Sequence, residues 1–175
     1  MLLAIDTSTR TVGVALYDGT QVVGEVVWIS RDYHTVELAP AVAEILRRGQ
    51  VDPGEVKAVA AATGPGSFTG LRIGLAFAKG LCLARHLPLI GIPTLDIVAA
   101  AQPVEALPLA AVLQAGRGRL AVGWYHSVSG AWEANGPVEI NDITQLVHRI
   151  QQPTLVAGEL KEEERRALAR KYKNV

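Results

Sequence analysis

This chain of 175 residues is predicted to fold as an α/β protein with two related lobes. Short apolar segments of strand length alternate with longer segments whose apolar residues recur at helical spacing. The order strand, strand, strand, helix, strand, helix occurs twice along the chain, without an obvious residue-level repeat. Hydrophobic residues make up 49% of the sequence, which is enough to fill a substantial core. We place the lobes at residues 1–98 and 99–175 and expect the second to be the smaller.

The first lobe is predicted from changes in apolar period and from turn residues. The Asp18-Gly19 dipeptide is a strong hairpin signal, and Gly49 ends the first helical segment. Ser67 or Thr69 is expected to cap the second helix. In order, the predicted elements are strands Leu2–Ile5, Val12–Tyr17 and Gln21–Ile29, helix Thr35–Arg48, strand Val56–Ala62 and helix Ser67–Ala84.

The second lobe is predicted in the same way, after a connecting strand and helix within residues 89–102. Asn141 or Asp142 is a plausible cap for its first helix. In order, the predicted elements are strands Leu107–Leu113, Leu120–His126 and Trp132–Ile140, helix Asp142–Ile150, strand Thr154–Ala157 and helix Leu160–Tyr172.

Composition argues against several classes of protein. The formal net charge is zero, with 17 basic and 17 acidic residues, whereas a stand-alone nucleic-acid binder usually carries a basic surplus. No apolar run reaches transmembrane length, and the first residues lack the features of a signal peptide. The single cysteine, Cys82, excludes an intrachain disulfide. We therefore expect a cytoplasmic protein without a membrane partner.

The segment ATGPGSFTGLRIGLAFAKG, residues 62–80, does not match a phosphate-binding loop. A Walker A loop needs a second glycine five residues after the first, and Thr69 stands there after Gly64. A dinucleotide fingerprint starting at Gly64 fails at the same residue. The nucleophile motif Gly-x-Ser-x-Gly fails because Ser67 directly follows Gly66.

The same segment carries small residues at a regular spacing. Gly66, Gly70, Gly74 and Ala78 recur every four residues, which on a helix forms a stripe almost without side chains. A glycine inside a helix costs roughly 0.5–1 kcal/mol relative to alanine, so the stripe needs a physical reason. Close approach of another helix would supply one. That helix is either the chain's own first helix or one from a second protein chain, and the second hypothesis is the one we favour.

At these residues the sequence resembles the TsaB (YeaZ) family. The similar stretches are AIDTST at residues 4–9, YHTVELAP at 33–40, GPGSFTGLRIGLAFAKGL at 64–81 and IGIPTL at 90–95. The resemblance is dense over residues 1–98 and thin beyond them. It implies the fold of the actin-like ATPase superfamily, with two ribonuclease-H-like lobes, in agreement with the repeated order of elements.

The resemblance also implies a function in tRNA modification. TsaB-like proteins are the dimerisation subunit of the bacterial machinery that places threonylcarbamoyl on the adenosine next to the tRNA anticodon. The implied partners are the catalytic paralogue TsaD and the ATPase TsaE. The chain is expected to contact tRNA only as part of this complex. This chain is then a non-catalytic scaffold, or alternatively a homodimer that uses the same stripe. The expected interface residues are His34, Leu38, Ile45, Gly66, Gly70, Arg72, Gly74 and Ala78.

Asp6, Thr7 and Ser8 follow the first strand, where actin-like folds hold nucleotide. The resemblance makes them a weak candidate site for ATP or ADP, although no cofactor is expected to be required. At the matching position of the second lobe the family usually has Asp-Ala-Arg, and this chain has Gln114, which cannot supply a second carboxylate to a metal. We therefore expect no ATP hydrolysis by the chain alone. Three alternatives remain for these residues: they form a plain polar turn, they bind nucleotide weakly near the subunit junction, or they serve a stand-alone enzyme that uses Asp6.

The four histidines do not indicate a metal site. None of them forms the His-x-x-x-His pair of the catalytic paralogue, and no glycoprotease motif is present. His34 stands where the family has His-Ser-Glu. Here the chain reads His34-Thr35-Val36-Glu37, so the role of Glu37 stays open.

Overall fold

Two α/β units follow each other along the chain in a computed structural model that describes residues 1–30 and 34–171. The units are Met1–Thr94 and Leu95–Val175. In order, the elements of the first unit are β1 Leu2–Asp6, β2 Thr11–Tyr17, β3 Val22–Ile29, α1 His34–Arg48, a 3₁₀ turn Pro53–Glu55, β4 Ala58–Gly64, α2 Phe68–Arg85 and β5 Leu89–Pro93. Helix α3 spans Thr94–Ala100, and the second unit continues with β6 Leu109–Gln114, β7 Leu120–Val128, β8 Ala131–Ala134, β9 Glu139–Asn141, α4 Ile143–Arg149, β10 Leu155–Gly158 and α5 Glu162–Lys171.

Both sheets use the same strand order. The first sheet runs β3-β2-β1-β4-β5, with antiparallel pairs among the first three strands and parallel pairs from β1 to β4 and from β4 to β5. In the second sheet β8, β7, β6 and β10 repeat that order, and β9 also pairs with β7. The predicted α/β fold with ribonuclease-H-like lobes is confirmed by this repetition.

The boundary between the units lies earlier than predicted. Leu95 and Ala99 of α3 are buried with Leu109 and Tyr125 in a core of the second unit. Residues 95–98 therefore belong to the second unit, because the buried side of α3 packs there. The division at 98/99 is corrected to 94/95.

Each sheet is covered by helices that bury an apolar stripe. In the first unit α1 and α2 pack on one face of the sheet, and Leu38, Val42, Ile45 and Cys82 join the strand residues of the core. The second sheet has a buried core on each face, one with α3 and the other with Leu146 of α4. Among the described helices, none has both the length and the apolar content needed to cross a bilayer.

Most predicted helix ends agree with the structure. Ser67 caps α2, accepting a hydrogen bond from the amide of Gly70, and Asp142 caps α4 in a capping box with Gln145. One predicted strand, Trp132–Ile140, is wrong. It is divided into β8 and β9, since Gly136 adopts a φ of 99° and Pro137 has no amide hydrogen to donate. The predicted end of the last helix at Tyr172 lies outside the described residues.

Candidate functional site

The end of β1 is held by hydrogen bonds within its own turn. The Oδ1 atom of Asp6 accepts from the amide of Ser8 at 2.8 Å and from its hydroxyl at 2.6 Å. The hydroxyl of Thr7 donates to the carbonyl oxygen of Gly70 in α2 at 2.8 Å. Thr7 is 2% exposed and Ser8 is 0% exposed. Both hydroxyls are therefore buried and hydrogen-bonded within the first unit, and nucleotide binding near Asp6 stays a prediction.

The glycines of α2 give the space that this turn occupies. A Cβ atom built on Gly70 would lie 2.1 Å from the carbonyl oxygen of Thr7, and one on Gly74 would lie 2.2 Å from the Thr7 hydroxyl. A Cβ on Gly66 would lie 2.3 Å from the carbonyl oxygen of Ser8, which accepts a hydrogen bond from the Ser67 amide at 2.6 Å. Helix α2 thus packs directly against the end of β1, because its glycines have no side chains to separate the two.

This contact corrects the interpretation of the small-residue stripe. Gly70, Gly74 and Ala78 are buried within the first unit, so no partner helix reaches them. Gly66 is half-buried, and its side-chain space is taken by Ser8. The alternative that the stripe packs on the chain's own first helix is also wrong for the glycines, since Thr7 and Ser8 fill the space. The stripe exists because a strand end, and not a helix, comes close.

Two more expected interface residues belong to the core. Leu38 is 1% exposed and Ile45 is 5% exposed, and both pack with the strands of the first sheet. Their helical spacing reflects the buried face of α1, so neither offers an exposed side chain to a partner. His34 begins α1, and its side chain lies outside the described residues. Arg72 is the expected residue that the structure places on the surface.

The exposed faces of α1 and α2 present a different set of residues. Phe68 is 73% exposed at the first turn of α2, and the Arg72 guanidinium carbon lies 5.1 Å from the centre of its ring. A groove of about 520 Å³ lies beside them; we call it the α1–α2 groove, and it is lined by Thr35, Leu38, Ala39, Phe68, Thr69, Arg72, Ile73, Ala76 and Phe77. Phe68 is not among the interface residues predicted from the sequence. Its signal was a large apolar residue directly after the N-cap, at a position that the core of α2 does not use.

The matching strand end of the second unit is also tied down internally. The Gln114 side-chain amide donates to the carbonyl oxygen of Glu159 at 3.2 Å and to the buried carboxylate of Glu164 at 2.8 Å. The same Glu164 oxygen accepts from the Lys161 amide at 2.7 Å, at the start of α5. Glu164 was not anticipated, because it lies 50 residues from Gln114 in sequence. Its carboxylate joins β6 to α5.

Histidine, cysteine and carboxylate side chains do not gather into a metal-binding group anywhere in residues 1–30 and 34–171. Cys82 is buried on α2, and burial raises the pKa of its thiol. Tyr125 donates a hydrogen bond of 2.6 Å to Asp96. Burial first, and then this bond and the Asp96 charge, raise the pKa of the Tyr125 phenol. Both groups stabilise packing between elements.

Comparisons with known proteins match most of the chain. The family model described as "TsaD: tRNA N6-adenosine threonylcarbamoyltransferase" matches residues 22–163. The tRNA threonylcarbamoyladenosine biosynthesis protein TsaB of Bacillus subtilis is 31% identical over 161 residues, which are 90% of this chain and 70% of that protein. The Escherichia coli protein of the same name is 41% identical over 98 residues, which are 56% of this chain and 42% of that protein. Thus less than half of the second relative is matched.

Two solved structures share the fold over most of the chain. YeaZ from Pseudomonas aeruginosa superimposes with a TM-score of 0.73 at 29% identity, covering 87% of this chain and 70% of that one. A protein described as uncharacterized, with similarity to peptidase YeaZ from Pseudomonas aeruginosa, superimposes with a TM-score of 0.78 at 27% identity. It covers 96% of this chain and 89% of that one.

Proposed function

Because the chain belongs to the TsaB family, we propose that it acts in tRNA threonylcarbamoyladenosine biosynthesis as a non-catalytic subunit that binds a TsaD-like catalytic protein. The TsaE-like ATPase joins the assembly, and tRNA is contacted through the complex. The observation that carries the proposal is the α1–α2 groove with its exposed aromatic residue. A soluble domain seldom leaves a phenylalanine beside an apolar groove without a use for it.

The groove has the composition of a binding centre. Aromatic and arginine side chains contribute most to protein–protein affinity when they are buried at the middle of an interface. Phe68 and Arg72 stand together here, and the stacked guanidinium leaves donors for an acidic group on the partner.

Hydrogen bonding at both strand ends supports a non-catalytic role. The amide and the hydroxyl of Ser8 both donate to the same Asp6 carboxylate oxygen, and the Gln114 side-chain amide donates to Glu159 and Glu164. Groups that perform chemistry must be free to contact a substrate or a metal. The polar groups at these positions are instead bonded within the turn after β1 or between β6 and α5.

The experiment is capture of this chain by a tagged TsaD-like protein from the same organism. Phe68→Asp places a charge at the groove, and we expect it to weaken binding by about 30-fold or more, as loss of an interface hot spot does. Phe68→Leu keeps an apolar side chain and should retain most of the binding. Ile140→Asp is the matched control, since Ile140 is an exposed apolar residue of the second unit.

Circular dichroism establishes that each variant is folded. Capture of Phe68→Asp at the wild-type level would contradict the proposed surface. Reconstituted tRNA modification that proceeds equally well without this chain would contradict the proposed function itself.

A further inference from the structure

A cavity of about 460 Å³ lies in the second unit, between α3 and the strands β7 and β8. We call it the α3–β8 cavity. Most of its lining residues are small or apolar, and Val104 is the bulkiest aliphatic one. Tyr125 and Trp132 add two aromatic side chains, and Asp96 is the charged residue that lines the cavity in the described part of the chain.

The cavity exists because α3 is too short to cover its face of the second sheet. Seven residues of α-helix span about 10 Å, whereas the nine residues of β7 span about 30 Å. Leu95 and Ala99 of α3 form a buried cluster with Tyr125 and cover part of this face. The helix ends at Ala100, and the part of the face toward β8 becomes the floor of the cavity.

Alternation along the β7–β8 hairpin determines which side chains form that floor. Tyr125 lies opposite Ala134, and Ser127 lies opposite Trp132. Alternate residues of a strand share one face of the sheet, so both aromatic side chains lie on the face that α3 covers. The Trp132 indole N–H donates to the Gln102 carbonyl oxygen at 3.2 Å, which holds the ring in position. The floor is therefore aromatic and fixed.

Asp96 adds a carboxylate beside this aromatic floor. It follows the buried Leu95 and is itself exposed, so a ligand can reach it from solvent. Its Oδ1 atom accepts a hydrogen bond of 2.6 Å from the hydroxyl of Tyr125, which is 5% exposed. No ion pair found in residues 1–30 and 34–171 includes Asp96. The cavity thus carries a negative charge that no ion pair of the described residues neutralises.

We propose that the α3–β8 cavity binds an alkylammonium group, with Asp96 as its counter-ion and with Tyr125 and Trp132 beside it. Hydrogen bonds between charged partners are about twice as strong as those between neutral ones. Aromatic rings also attract cations, and the apolar walls accommodate an alkyl chain. The proposal concerns the second unit alone and does not depend on the proposed function.

The bond from Tyr125 favours an ammonium group over a guanidinium group. A guanidinium binds a carboxylate best through two parallel hydrogen bonds, one to each oxygen. At Asp96 one of the two oxygens already accepts from Tyr125. An ammonium group is a compact charge and needs a single oxygen, so it fits the remaining one.

Titration of the full-length chain with hexylammonium chloride tests the proposal, followed by NMR of the Trp132 indole N–H. The signal is assigned by its loss in Trp132→Phe. We expect a saturable shift with a Kd on the order of 1 mM, which is typical of a probe of this size. Hexan-1-ol has the same chain length without the charge and should bind at least about tenfold more weakly. Ionic strength is held constant, because salt screens exposed charges.

Asp96→Asn tests the counter-ion. The carbonyl oxygen of asparagine can still accept from Tyr125, so the variant should fold, and circular dichroism establishes this. We expect the Kd for hexylammonium to rise about tenfold or more. Glu133→Gln is the matched control. It removes an exposed carboxylate from the neighbour of Trp132, on the opposite face of β8, and should leave the Kd within about twofold.

A tripeptide with lysine at its centre distinguishes the source of the ammonium group. Binding of hexylammonium alone assigns the cavity to a free amine, and equal binding of the peptide assigns it to lysine side chains of proteins. The proposal is overturned if neither probe gives a saturable shift, if hexan-1-ol binds equally well, or if Asp96→Asn keeps the wild-type Kd. Tighter binding of butylguanidinium would overturn the choice of an ammonium group. None of these outcomes affects the Phe68 test of the proposed function.

Discussion

Replacing Gly70 by alanine tests the contact between α2 and the end of β1. The added Cβ atom would lie 2.1 Å from the Thr7 carbonyl oxygen. Carbon and oxygen atoms that approach closely in proteins remain about 3.3–3.6 Å apart. The helix must therefore move by about 1 Å, which disturbs the bonds from Thr7 to Gly70 and from Ser67 to Ser8.

The expected cost follows from these terms. Overpacking costs about 1–3 kcal/mol, and each weakened hydrogen bond costs roughly 0.5–1.5 kcal/mol. We expect Gly70→Ala to lower the free energy of unfolding by about 2–4 kcal/mol and the Tm by on the order of 10 °C. The measurements are urea and thermal unfolding followed by circular dichroism.

Gly80 gives the matched control on the same helix. It is exposed, and nothing lies within 4 Å of a Cβ atom built there. Gly80→Ala should stabilise the protein by about 0.5–1 kcal/mol through helix propensity. Equal stability of the two variants would refute the close approach. Wild-type stability of Gly70→Ala together with lost capture by a TsaD-like protein would restore the partner interpretation of the stripe.

Two further predictions concern polar contacts. Asp6→Ala removes the acceptor for two hydrogen bonds from the buried Ser8, so we expect the free energy of unfolding to fall by about 1–3 kcal/mol in urea titrations. Unchanged stability together with a loss of ATP turnover would instead support a catalytic role for Asp6. Tyr125 has a raised pKa in the folded state, so its contribution to stability is complete below the ordinary phenol pKa of 10.0 and is lost as the pH rises above it. Tyr125→Phe should therefore lose less Tm than the wild type between pH 9 and 11, and parallel curves would contradict this assignment.

Sequence patterns predicted the helices and strands better than the tertiary contacts that these elements make. Apolar periodicity located α1, but the same stripe that indicated a helix also placed Leu38 and Ile45 in the core, where we had expected a partner. A period of four in α2 showed that something approaches closely. It could not show that Thr7 does so, because that contact joins residues 63 positions apart. Only the parallel pairing of β1 with β4 brings the two segments together.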